Sequence, residues 1–163
     1  MKYVNYSIVF REVPNEVTLA INLSNCPHRC KGCHSPYLRE DTGDILDNEV
    51  LEKLLDKYSD AITCVCFMGG DASPREVEQC AAFTRNHSNG RLKIGWYSGN
   101  DKFSENCSLQ SFDYIKLGAY IEHLGGLDVP TTNQRFYRIK NGKMVDITER
   151  FQVPSFKIEE CGF

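Results

Sequence analysis

The stretch AITCVCFMGGDASPREVEQCAAFTRNHSNGRLKIGWYSG, residues 61–99, holds an apolar run, an amphipathic segment and a second apolar run in that order. Short β-rich apolar runs without alternation read as strands buried on both faces. Between them Ser73 stands at an N-cap position, Pro74 at the first helical position and Glu76 three residues after the cap, the pattern of a capping box. Val77, Cys80, Ala81 and Thr84 then mark one helix face, and Gly90 ends the segment. Strand, helix and strand joined this closely predict parallel strands linked by a right-handed crossover.

The pattern extends in both directions. EVTLAINLS (16–24) alternates as a strand and runs straight into a cysteine-containing loop. Asp47 reads as the N-cap of a helix whose Leu51, Leu54, Leu55 and Tyr58 fall at i, i+3, i+4 and i+7. FDYIKLG (112–118) reads as a further strand, with a weak, irregular helix before it. Near the end, RFYRIKNGKMVDI (135–147) carries Asn141-Gly142 between alternating runs, the signal of a type I′ hairpin. The segment 151–163 has no pattern. At 163 residues the chain reads as one domain spanning 1–163. A closed (β/α)₈ barrel usually takes ~250 residues. The expected fold is therefore α/β: an incomplete β/α barrel with a C-terminal β-hairpin.

Composition narrows the function. With 41% hydrophobic and 25% charged residues, a net charge of −3 and a pI near 5.8, no basic footprint for nucleic acid is present. The opening MKYVNYSIVF lacks the apolar core of a secretory signal, and no segment approaches a membrane span. The expectation is a cytoplasmic protein whose eight cysteines are reduced thiols or metal ligands, not a disulfide framework.

Three of these cysteines, Cys26, Cys30 and Cys33, sit together in NLSNCPHRCKGCHSPYL. Thiolates ligate zinc and iron–sulfur clusters. A structural zinc site needs a fourth protein ligand. His34 directly follows Cys33 and His28 lies inside the first spacer, so both are awkward partners. No second Cys-x-x-Cys pair follows, because Cys64-Val65-Cys66 is a Cys-x-Cys within a strand. A [4Fe–4S] cube normally takes four cysteines, so three leave one iron open to a substrate or cofactor. Cys64 and Cys66 share one strand face and read as small hydrophobes, Cys80 belongs to the helix stripe, and Cys107 and Cys161 could approach each other. His28, Arg29 and Lys31 are either a solvated loop edge or positive charge that favours a reducible cluster. Trp96 reads as core.

Cys26-x-x-x-Cys30-x-x-Cys33 after the first parallel strand resembles the signature of the radical S-adenosylmethionine (SAM) superfamily. FMGGDASP after the next strand resembles that superfamily's Gly-Gly-Glu segment, with Asp71 at the acidic position. With CKGCHSPYL, GGDASP, GWYSG, FDYIKLG and NQRFYRI together, the chain resembles the activating proteins of anaerobic (class III) ribonucleoside-triphosphate reductase over most of its length. The resemblance implies a [4Fe–4S] cluster on Cys26, Cys30 and Cys33, with SAM as the second cofactor. It implies that Gly69, Gly70 and Asp71 frame the methionine end of SAM and that Ser98 reaches its ribose. Gly32 stands where many relatives have an aromatic residue, so backbone contacts from Gly32 to His34 would serve the adenine. Leu117 replaces an acidic residue common in that strand and takes no role. The implied partners are the reductase, as protein substrate, and a one-electron donor such as a flavodoxin, with no nucleic acid and no membrane. The alternatives are an activase of another glycyl-radical enzyme such as a formate lyase, a radical SAM enzyme with a small-molecule substrate, or a non-catalytic iron–sulfur or zinc module.

Overall fold

Four parallel strands form the centre of the sheet, as the apolar runs predict. They are β2 (Thr18–Leu23), β4 (Cys64–Met68), β5 (Lys93–Tyr97) and β6 (Tyr114–Leu117) in a computed structural model that describes residues 1–152. Antiparallel strands flank them: β1 (Lys2–Val9) and the two-residue β3 (Asp44–Ile45) on one side, β7 (Arg135–Lys140) and β8 (Lys143–Asp146) on the other. The result is one eight-stranded sheet in the order β3-β1-β2-β4-β5-β6-β7-β8. The sheet is mixed and does not close, so the architecture is α/β with an open sheet.

Two helices, α1 (Asn48–Tyr58) and α2 (Pro74–His87), pack with one face of this sheet. Alternate strand residues point toward them: Leu19, Ile21 and Leu23, Val65 and Phe67, Ile94 and Trp96, Ile115 and Leu117. Asp47 caps α1, its carboxylate accepting the Val50 N–H at 2.9 Å. The capping box expected on α2 does not form. The Ser73 side chain makes no cap bond, and Glu76 pairs instead with the N-terminal ammonium of Met1. A full positive charge outcompetes a single backbone N–H for that carboxylate.

Neither α1 nor α2 packs on the opposite face. Cys64 and Cys66 are fully buried there, joined by Val13, Tyr114, Leu127 and Phe136. Phe136 roots the C-terminal hairpin in this layer, its ring 4.9 Å from Phe151 and 5.8 Å from Tyr97. The hairpin turn is type I′: Asn141 and Gly142 have φ of 52° and 70°. The weak helix before β6 is only a 3-10 turn at Leu109–Ser111, and β1 is an added strand. No helix among the described residues is long and apolar enough to cross a membrane. Cys161 lies outside the described residues, so its pairing with Cys107 stays an expectation of the sequence.

Burial sets an alkaline limit on this fold. It pushes the Cys66 thiol well up, the Cys64 thiol likewise, and that of Cys80 to about 11. In the unfolded chain these thiols ionise near ~8.5. Folded stability is therefore complete below that pH and falls as pH rises from it toward the folded values. Urea unfolding of the iron-free protein at pH 7, 9 and 10.5 should show the midpoint falling at the alkaline end, with a shallower fall in Cys66→Ala.

Candidate metal centre

The chain leaves the C-terminal end of β2 through Asn25, which has a φ of 60°. The loop that follows is tied at its base. Cys26 donates its N–H to the Leu38 carbonyl at 2.9 Å, and Asn25 to the Glu40 carbonyl at 3.0 Å. The buried Leu38 side chain anchors that base, and the Arg39 guanidinium donates back to the Cys30 carbonyl. Within the loop the Cys33 N–H donates to the Cys30 carbonyl at 3.4 Å, and the Ser35 N–H to Cys33 Sγ at 3.4 Å. Gly32 has a φ of 70°, and a Cβ there would come within 2.9 Å of the Glu122 carboxylate. The same Glu122 pairs with Lys31 at 3.3 Å.

Cys26, Cys30 and Cys33 are all free and half-buried. Burial pushes the Cys26 thiol up, and the nearby charges of Asp71, Cys30 and Cys33 push it the same way. A cation bound among these sulfurs would relieve that repulsion. Neither candidate histidine closes a fourth position. His34 packs its ring 5.0 Å from that of Tyr120, and His28 turns to Asp71. Among the described residues no three His, Cys, Asp or Glu side chains stand close enough to hold one metal ion. A cube needs a wider spread, because each thiolate binds a different iron, whereas zinc gathers sulfurs at about 2.3 Å around one point. Three free thiols on one loop are chemically suited to iron–sulfur ligation.

Asp71 is the most heavily engaged polar group near the loop. Its side chain is 2% exposed. Oδ1 accepts from the Ser98 hydroxyl at 2.6 Å and Asn100 Nδ2 at 3.4 Å; Oδ2 accepts from the Gly99 N–H at 2.8 Å and lies 3.1 Å from His28 Nε2. Ser98 is buried, and its hydroxyl also accepts the Asn100 N–H at 3.0 Å. The sequence carried no signal for the His28 contact, since it joins residues 43 apart.

The two glycines before Asp71 serve close packing. Gly69 and Gly70 have φ of 97° and 88°. The Gly69 carbonyl accepts the Trp96 indole N–H at 2.8 Å, and the Gly70 carbonyl accepts the Ser73 N–H at 2.9 Å. A Cβ on Gly70 would sit 2.5 Å from Val77 Cγ2 and 2.8 Å from Leu23 Cδ1, so it presses on the core.

An open cleft of about 410 Å³ adjoins the loop, lined by Cys33, His34, Met68, Tyr97, Lys116 and Tyr120, with Gln134 and Phe151 also in its wall. Lys116 is a buried cation that an apolar strand pattern concealed. Burial lowers it to about 8, while Asp71 and the three loop thiols oppose that shift. Its Nζ donates to the Gly118 and Ser98 carbonyls, leaving one of three donors free. Of the expected site residues, Cys33 and His34 line the cleft, whereas Asp71 and Ser98 are joined to each other behind the loop. Gln134 from the NQR motif reaches the cleft, and Asn133 bonds the Ala119 carbonyl at 2.9 Å.

A family model described as a 4Fe-4S single cluster domain matches residues 16–118, more than half of the chain. The protein belongs to this family of iron–sulfur domains. No curated protein matches the chain, and no solved structure does.

Because the Gly70 hydrogen faces Val77 and Leu23, Gly70→Ala should destabilise the iron-free protein by about 1–3 kcal/mol through overpacking, with a further contribution from its positive φ. A urea midpoint lowered at unchanged slope checks this.

Proposed function

We propose that this iron–sulfur domain is a radical SAM activase of the incomplete-barrel type that places a glycyl radical on an anaerobic ribonucleoside-triphosphate reductase. The observation that carries the reading is the position of the three-cysteine loop. It follows the first of four parallel strands and borders an open cleft with residues from the ends of the next three, Met68, Tyr97 and Lys116. The C-terminal ends of parallel strands are where such folds place chemistry.

Cys26, Cys30 and Cys33 would hold the cube by three irons, and no protein ligand would occupy the fourth. A reduced cluster would supply one electron for reductive cleavage of the cosubstrate's sulfonium. The chain's own residues bind and orient. Lys116 offers its remaining N–H to the carboxylate of an amino-acid-bearing cosubstrate. The aromatic rings of Tyr97 and Tyr120 give the cleft apolar walls. The Gly32–His34 backbone, exposed at Gly32 and His34, would meet the adenine. Open among the described residues, the cleft suits a protein substrate whose glycine loop would close it and receive the radical by losing a Cα hydrogen.

The test mixes reconstituted protein anaerobically with reductase, SAM and reduced flavodoxin, and follows methionine release and EPR. A glycyl-radical doublet on the reductase, lost when its target glycine is changed to Ala, is the expected result. Methionine release with the radical appearing only on a formate lyase or a small molecule would overturn the reductase assignment. A reducible cluster with no methionine release would identify a non-catalytic iron–sulfur module.

A further inference from the structure

We infer that Asp71 and His28 form a positioning pair that fixes the three-cysteine loop to the ends of β4 and β5, with Asp71 acting through His28 and not by contact with a bound cofactor. The effect on a cluster rests on the function proposed above. The pair itself rests on geometry alone.

An ionised carboxylate has about four lone-pair directions. Those of Asp71 meet Ser98 Oγ, Gly99 N, Asn100 Nδ2 and His28 Nε2, and its side chain is 2% exposed. With the side chain this buried, these contacts engage both carboxylate oxygens within the protein. Three of the four donors come from the single segment 98–100 that follows β5, so the acceptor is built within the sheet before the loop arrives. His28 is the one donor from the cysteine loop.

Gly99 supplies an independent observation. A Cβ there would lie 2.5 Å from His28 Cδ2 and 2.8 Å from Nε2. Gly99 does not have a positive φ, so the glycine is required for space: the imidazole rests against its backbone. His28 is therefore held by a hydrogen bond at one atom and by packing along its ring. It sits two residues from Cys26 and two from Cys30, so a displaced ring shifts both thiols. Cys33 has its own support through Ser35.

The experiment compares wild type with His28→Ala, His28→Gln, Asp71→Asn and the double variant His28→Ala/Asp71→Asn. Hydrogen exchange is read on both the iron-free and the reconstituted protein. Residues 26–33 should exchange about tenfold faster in His28→Ala and Asp71→Asn, with α1 and α2 unchanged. Gln, which keeps an N–H donor, should restore most of the protection. In reconstituted protein, iron content should stay near wild type while the reduced-cluster EPR signal broadens equally in both single variants and no further in the double. SAM cleavage should fall about tenfold.

Unchanged exchange in His28→Ala would overturn the proposal. So would a SAM-induced EPR change lost in Asp71→Asn but intact in His28→Ala, because it would place Asp71 on the cofactor. If wild type takes up no iron, the proposed function falls, and the iron-free exchange still decides the pair.

Discussion

A buried carboxylate without partners costs several kcal/mol, so the Asp71 side chain, 2% exposed, needs donors around it. The segment 98–100 and His28 supply them, and the rest of the site is arranged by that requirement. The same segment continues the connection sideways: Ser98 N–H donates to the Lys116 carbonyl at 2.9 Å, and Gly118 N–H to the Asn100 carbonyl at 2.8 Å. One run of polar contacts thereby joins the loop after β2 to the ends of β4, β5 and β6. Hydrogen bonds to a charged group are the stronger kind, and each here orders a chain segment that would otherwise be free at the edge of a cleft.

The two faces of the sheet divide the work. Helices α1 and α2 bury one face in aliphatic and aromatic side chains, which gives the strands a fixed platform. Among the described residues the other face is covered by Val13, Leu127, the hairpin root at Phe136 and Phe151. The cleft lies where that cover stops. The family match ends at residue 118, and Gln134 and Phe151 lie beyond it. Part of the cleft wall thus comes from segments outside the matched iron–sulfur region, which is where a site adapts to a particular substrate while its metal loop stays the same.

Local chemistry made much of this legible. Non-alternating apolar runs marked β4, β5 and β6, heptad-like spacing marked α1 and α2, and Asn141-Gly142 marked the hairpin turn. The three cysteines stood out by spacing alone. What stayed hidden depends on contacts distant in the chain. β1 mixes Tyr, Asn and Ser next to the short edge strand β3, so its pairing with β2 left no clear period. Glu76 looked like a capping-box residue because its true partner, Met1, is 75 residues away. Lys116 fell inside an apolar strand, and only the fold shows the carbonyls that hold it. Asp71 was legible as a special acid. The donors that meet it, from His28 and the segment 98–100, come from distant parts of the chain and left no local signal.

The distribution of thiols has a consequence for life in air. Among the described residues, Cys64, Cys66 and Cys80 sit inside the scaffold, whereas the three loop cysteines and Cys107 are partly exposed. An oxidant therefore meets these four before the buried three. Sulfenic acid formed in the loop condenses with a neighbouring thiol to a disulfide, a reversible product. The sheet beneath keeps its own thiols reduced and its packing intact. Oxidation confined to such exposed thiols would leave the buried packing of the sheet in place.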